Sequence, residues 1–74
     1  MNTVFRVKKF SILSERESEI AMLILDGKKT NDIANQLKLK SNTVSTLKKR
    51  IFDKVGVESS IQLYKLALKE GVIQ

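Results

Sequence analysis

Apolar residues recur every three or four positions along most of this chain, a spacing that predicts helices and not strands. The clearest example covers residues 41–55. On a helical wheel at about 100° per residue, the side of this stretch within roughly 60° of Val44 is apolar. Its members are Val44, Leu47, Ile51 and Val55. We therefore expect a helix that buries this face in a core and exposes the opposite one.

Two further helices are predicted before residue 41. The first follows Ser14, which forms a possible capping box with Glu17, and it ends at Asp26 and Gly27. The second runs from about Thr30, the expected N-cap, to residue 37. The inward positions of these two helices are apolar: Ile20, Leu23, Ile24, Ile33, Ala34 and Leu37.

The stretch from residue 30 to residue 55 has the spacing of a helix-turn-helix. The small Ala34 permits the close, steep crossing that two such helices need. Residues 38–40 form the expected turn, with Leu39 inserted in the core. Glycine is usual in this turn, and Lys38 stands there instead. Lys38 must therefore adopt the backbone conformation of that glycine, or the turn must shift.

A fourth helix is predicted from a cap at Ser59 or Ser60 to about Glu70. Its apolar residues cover more than half of its circumference, so part of them stays exposed unless something covers it. One interpretation is a small domain with an apolar surface on its last helix. The other, which we favour, is a homodimer contact, centred on Leu63, Leu66 and Ala67. The expected fold class is all-α, a four-helix bundle containing a helix-turn-helix.

The 74 residues suffice for one small domain, expected at 13–74. Residues 1–12 lack helical periodicity and are interpreted as a tail or linker, with Phe10 and Ile12 against the domain. The chain has no cysteine and no histidine, which removes disulfides, thiolate metal sites and the commonest general base. We expect no metal, cofactor or small-molecule ligand. The sequence contains no membrane-length apolar run or signal peptide, so we expect a cytoplasmic protein.

The positive charge of the chain is concentrated in one region. The formal net charge is +6, yet basic and acidic residues balance within residues 1–27 and again within residues 55–74. Residues 28–54 carry the excess, opposed only by Asp32 and Asp53. Its basic residues are Lys28, Lys29, Lys38, Lys40, Lys48, Lys49, Arg50 and Lys54. Because this excess coincides with the helix-turn-helix pattern, it indicates a site for a polyanion.

The outward face of the helix at 41–55 has side chains suited to DNA recognition. Small hydrogen-bonding residues and a lysine can reach base edges in a major groove. The candidates are Asn42, Ser45, Thr46 and Lys49. At the entrance to the second helix, free backbone N–H groups and the helix dipole favour a phosphate. The candidates there are Lys28, Lys29, Thr30 and Asn31. An ordinary solvated surface is the alternative interpretation for both groups.

Several motifs taken together resemble the LuxR-type helix-turn-helix domains of bacterial response regulators and quorum-sensing regulators. The matching residues are Leu13-Ser14-Glu15-Arg16-Glu17, Glu19-Ile20, Gly27, Ile33-Ala34, Leu37, Thr43-Val44 and Lys54-Val55-Gly56-Val57. The segment Thr43-Val44-Ser45-Thr46 looks more like the response-regulator branch. The resemblance implies a transcriptional regulator with four helices, the third in the major groove and the fourth at a two-fold dimer interface.

The resemblance also implies roles for individual residues. Base-reading positions fall on Ser45, Thr46 and Lys49, which the wheel already turns outward. Backbone-contacting positions fall near Thr30 and Asn31 and on Thr43, with Lys48 and Arg50 as their neighbours. Lys40 and Ser41, at the start of the third helix, are further candidates for phosphate contact. A serine usually begins the third helix where Lys40 stands, so the N-cap is expected to move to Ser41.

These observations favour sequence-specific binding of double-stranded DNA by a homodimeric bacterial transcriptional regulator associated with the nucleoid. The alternative is a protein-interaction module whose basic face contacts RNA polymerase or an upstream receiver domain. We do not expect an enzyme, because the sequence has no histidine, cysteine, phosphate loop or inward carboxylate pair.

Overall fold

Four α-helices and one short 3-10 helix make up residues 8–73, the part of the chain that the computed structural model describes. Residues 1–7 of the predicted tail and Gln74 lie outside the described residues. The elements in chain order are the 3-10 helix Lys9–Ile12, α1 Glu15–Leu25, α2 Thr30–Leu37, α3 Ser41–Val55 and α4 Ser60–Lys69. No strand occurs between residues 8 and 73. The all-α class and the four predicted helices are therefore confirmed.

The predicted start and end of α1 are both confirmed. The Glu17 N–H donates to Ser14 Oγ at 3.2 Å, and the Ser14 N–H donates to Glu17 Oε1 at 2.8 Å, which completes the capping box. Asp26 follows the last turn, and Gly27 then takes a positive φ of 88°. At the start of α4, Ser59 is the N-cap and its hydroxyl accepts from the Gln62 N–H at 3.2 Å.

Two predicted N-caps are wrong by one residue. Lys29 precedes α2 in the N-cap position, and Thr30 is already helical. In the same way Lys40 precedes α3, and Ser41 is its first helical residue. The Ser41 hydroxyl instead donates to Asn31 Oδ1 of α2 at 2.7 Å. This contact links the first turns of the two helices.

The turn between α2 and α3 keeps its usual geometry without a glycine. Lys38 has φ 58° and ψ 44°, the left-handed conformation that a glycine would occupy without strain. The Leu39 N–H donates to the Ala34 carbonyl at 2.8 Å, closing the end of α2. Leu39 is half-buried against the core. Two outcomes were expected for this turn, and the structure shows the first: Lys38 adopts the conformation of the usual glycine.

The core lies where α3 meets α1 and α2, with α4 packed against α1. Its buried apolar residues are Leu13, Ile20, Ala21, Ile24, Ile33, Ala34, Val44, Ile51, Val55, Leu63 and Ala67. Three members of the predicted apolar face of α3 are buried, and the fourth, Leu47, is half-buried at the edge. The predicted inward face of α3 is thus confirmed, and the residues of its outward face are exposed.

The residues predicted to centre a dimer contact on α4 need correction. Leu63 and Ala67 have 0% of their surface exposed within a single chain, because they fill the core facing α1. Leu66 is half-buried against the same core. The apolar residues of α4 that are exposed are Ile61, Tyr64 and Leu68. A helical wheel shows which residues share a face of α4, but it does not show which of these faces packs against the core. For this reason Leu63 and Ala67 were assigned to the surface.

The end of the predicted tail contains a 3-10 helix that the sequence did not indicate. Phe10 is half-buried against the core, as expected, whereas Ile12 is exposed, contrary to expectation. The Glu70 carboxylate fixes this helix by accepting from the backbone N–H groups of Lys9 at 2.9 Å and Phe10 at 3.1 Å. The 3-10 helix also packs against α3. The boundary between tail and domain at residue 13 stays a prediction.

Candidate nucleic-acid interface

The four candidate base-reading residues are all exposed on one side of α3. Behind them, Val44 and Ile51 of the same helix have 0% of their surface exposed, so the helix is held rigidly by its other side. This contrast follows from the helical period, which puts Ser45, Thr46 and Lys49 away from the buried positions. Contact of these residues with bases stays a prediction.

The candidate residues line two surface depressions, one on each flank of α3. One flank is a surface depression of about 460 Å³ that brings Thr30 of α2 together with Ser45, Lys48 and Lys49 of α3. The other flank is a smaller depression of about 320 Å³, lined by Asn42, Thr43, Thr46, Leu47 and Arg50. Predicted base-reading and phosphate-binding residues occur together on each flank.

The start of α2 is held close to the start of α3. The Asn31–Ser41 hydrogen bond of 2.7 Å joins two residues that were predicted to contact phosphates. Lys29 and Lys40 occupy the N-cap positions of the two helices, and both are exposed. Their neighbourhood thus combines the N–H groups of two helix starts with positive side chains, which favours an anion. The Asp32 carboxylate in the first turn of α2 accepts from the Lys29 N–H at 3.4 Å. Lys28 is exposed in the preceding loop.

The Lys48 ammonium group lies over the ring of Phe52, a residue that was not predicted to belong to the site. Its Nζ lies 5.8 Å from the centroid of the Phe52 ring, within cation–π distance. Phe52 also lines the larger depression, together with Asp53, Val57 and Glu58. The spacing of four residues between Lys48 and Phe52 was the available signal, since such pairs meet on a helix surface.

Lys54 is not available to a polyanion in the way the charge distribution suggested. Its Nζ donates to Glu17 Oε1 at 2.8 Å, and the Glu17 side chain is almost fully buried. The hydrogen bond from Lys54 and that from the Ser14 N–H hold the pKa of Glu17 below its ordinary value. Because the partners lie 37 residues apart, no local pattern could reveal the pair. It fixes the end of α3 against the start of α1.

Between residues 8 and 73, no group of three or more acidic, histidine or cysteine side chains lies close enough to hold a metal ion. Within the same residues, no helix has both the length and the apolar character needed to cross a membrane.

The fold and its exposed basic face define a helix-turn-helix domain. Comparison with known families agrees: the model described as "Bacterial regulatory proteins, luxR family" matches residues 11–67, most of the chain. The chain belongs to this family of transcription regulators. The resemblance drawn from the sequence motifs is therefore confirmed, and the family is one of DNA-binding regulators and not of enzymes.

Several curated relatives are response regulators. The response regulator GacA of Pseudomonas viridiflava is 39% identical over 64 residues, which are 86% of this chain and 30% of that protein. The response regulator UvrY of Escherichia coli K12 is 38% identical over 63 residues, 85% of this chain and 29% of that protein. The uncharacterized response regulatory protein YgeK of the same strain is 50% identical over 60 residues, 81% of this chain and 41% of that protein. The chain spans less than half the length of these relatives.

Proposed function

We propose that this domain binds double-stranded DNA sequence-specifically, with α3 in the major groove, as part of a bacterial transcription regulator that acts at the nucleoid in the cytoplasm. One observation supports this most strongly. The exposed side of α3 carries Ser45, Thr46 and Lys49, and the first turn of α2 lies beside it through the Asn31–Ser41 hydrogen bond. The proposed base-reading groups and the proposed phosphate-binding groups thus belong to one rigid unit.

The proposed affinity comes mainly from phosphate neutralisation. Phosphate contacts fall on both flanks of α3 and at the start of α2: Lys28, Lys29, Thr30, Asn31, Lys40, Ser41, Thr43, Lys48 and Arg50. Each neutralised phosphate releases counterions, so affinity falls with salt at a log–log slope of about −0.9 per contact. Lys54 contributes little, because Glu17 already neutralises it.

The proposed specificity comes from the exposed side of α3. A lysine such as Lys49 can donate to the O6 and N7 acceptors of guanine, and an amide such as Asn42 can pair with adenine. Good contacts of this kind discriminate by about 1–3 kcal/mol per base pair. Helix α3 is buried on its other side against α1 and α2, so these side chains reach the groove without reordering of the backbone.

We also propose that the domain acts as a homodimer through α4. The exposed Ile61, Tyr64 and Leu68 are the apolar residues of this helix that a partner can cover. A two-fold dimer would bind inverted half-sites about one helical turn apart. Sedimentation of the domain free and on DNA tests this, and a strict monomer in both states would contradict it.

A second candidate function is contact with a protein partner, such as RNA polymerase or a receiver domain. It is favoured by a depression of about 520 Å³ between α1 and α2, where Met22, Leu23 and Leu37 are flanked by the acidic Glu19 and Asp26. Affinity for such a partner that is insensitive to added DNA would support this role.

The test of DNA binding compares two lysine variants. Lys49→Ala removes a proposed base contact, so it should weaken binding to a selected DNA site about 5- to 100-fold more than binding to random DNA. Lys29→Ala removes a proposed phosphate contact and should weaken both alike. Lys65→Ala, an exposed lysine on α4, is the matched control and should change neither. Equal losses on the two DNAs for Lys49→Ala would remove this residue from the proposed readout.

A further inference from the structure

The hydroxyl of Thr46 is already engaged within its own helix. Thr46 Oγ1 donates to the backbone carbonyl of Asn42, one turn earlier, at 2.9 Å. Such bonds turn the oxygen back along the helix toward the preceding turn. The residue as a whole is nevertheless exposed, on the flank of α3 that also carries Thr43 and Arg50.

This bond decides which atoms Thr46 offers to a ligand. A hydroxyl has one proton to donate, and here that proton points at the Asn42 carbonyl. Staggering about the Cα–Cβ bond separates Cγ2 from Oγ1 by about 120°, so the methyl group points away from that carbonyl. The part of this exposed side chain that has no internal partner is therefore its apolar Cγ2 methyl group. Donation to the O6 or N7 acceptors of guanine would require the internal hydrogen bond to break.

Its neighbour Ser45 is chemically different despite the similar side chain. Among the described residues, no hydrogen bond engages the Ser45 hydroxyl, which is exposed on the other flank of α3. Ser45 also has no methyl group. The two adjacent hydroxyl residues thus offer different chemistry, one polar and adaptable and the other apolar and fixed.

We propose that Thr46 is an apolar base reader that recognises the C5-methyl group of a thymine in the major groove. This inference rests on the proposed DNA binding and deepens it by naming the base. Thymine is the only standard base with a methyl group on its major-groove edge, and a threonine methyl is a suitable partner for it. The internal hydrogen bond to Asn42 fixes the rotamer in advance, so little side-chain freedom is lost on binding.

The test uses the contrast between thymine and uracil, which differ only by this methyl group. A DNA site is first selected from a random duplex library with the wild-type domain. Each thymine of that site is then replaced by deoxyuridine in turn, and affinities are measured for wild type, Thr46→Val and Thr46→Ser. Thr46→Val keeps a methyl group and loses the hydroxyl, whereas Thr46→Ser does the reverse. Lys65→Ala, an exposed lysine on α4, is the control away from α3, and thermal melting verifies that each variant is folded.

We expect one thymine per half-site at which uracil weakens wild-type binding about fourfold, as burial of one methyl group predicts. Thr46→Val and Lys65→Ala should keep this dependence, and Thr46→Ser should lose it. Persistence of the dependence in Thr46→Ser, or a site at which every uracil substitution is silent, would overturn the thymine assignment alone. Failure of the library to yield any enriched sequence would overturn sequence-specific binding, and the assignment with it.

Discussion

The ion pair between Glu17 and Lys54 gives the sharpest quantitative prediction about the fold that presents α3. Glu17 is 3% exposed, and its Oε1 accepts from both Lys54 Nζ and the Ser14 N–H at 2.8 Å. Hydrogen bonds to charged groups contribute about 1.5–3 kcal/mol. The Lys54 side chain is 39% exposed, so solvent screens the pair and the lower part of this range applies. We expect a coupling free energy of about 1–2 kcal/mol between the two side chains.

A double-mutant cycle measures this coupling. The free energy of unfolding is determined by urea denaturation for wild type, Glu17→Gln, Lys54→Met and the double variant at neutral pH. For a domain of this length, each kcal/mol of lost stability lowers the melting temperature by roughly 4–8 °C. The matched control is the Arg16–Glu19 pair, which is 3.5 Å apart and half-exposed on both sides. Its coupling should stay below about 0.5 kcal/mol.

The same cycle at acid pH tests the charge of Glu17. Because folding lowers the pKa of this carboxyl, its contribution to stability is fully present above its ordinary value of 4.5 and is lost as the pH falls through the lowered value in the folded protein. The coupling with Lys54 should therefore disappear at low pH. A coupling near zero at neutral pH, or one that is unchanged in acid, would refute the role assigned to this pair.

Three further variants test other parts of the structure. Lys38→Gly relieves a positive φ of 58° and should raise the free energy of unfolding by about 1 kcal/mol, and a lower melting temperature would contradict this. Glu70→Gln removes the charge that holds the 3-10 helix, so hydrogen exchange of the Phe10 amide should accelerate, and unchanged exchange would contradict the contact. Leu63→Ala should lower the free energy of unfolding by about 3–5 kcal/mol because it opens a core cavity. Ile61→Ala, at a site that is 69% exposed, should lower it by less than about 0.5 kcal/mol. Equal losses of stability in urea denaturation would contradict the corrected assignment.

Local features of the fold could be predicted from the sequence because their causes are local. The capping box of α1 depends on residues three positions apart, and the inward face of α3 depends on the helical period. For Lys38 the sequence left two outcomes open, the glycine conformation or a shifted turn, and the structure shows the first. The exposed side of α3 was predictable for the same reason, since it is the complement of the buried side.

Features that depend on distant parts of the chain could not be predicted in this way. The Glu70 carboxylate meets the backbone of Lys9 across 61 residues, and no periodicity indicates such a contact. Leu63 looked available for a dimer because its burial is decided by α1 and not by its own helix. The internal hydrogen bond of Thr46 is local, yet its presence depends on a rotamer, because threonine in a helix divides between two.

The central claim is that the exposed side of α3 and the first turn of α2 bind DNA. It is tested most directly by an NMR titration of the isotope-labelled domain with a random duplex of about two helical turns, at low and at moderate salt. The account predicts amide shifts clustered on residues 28–31 and 41–50 that fade as salt rises. Shifts confined to α4, or no shifts at all, would contradict direct DNA binding.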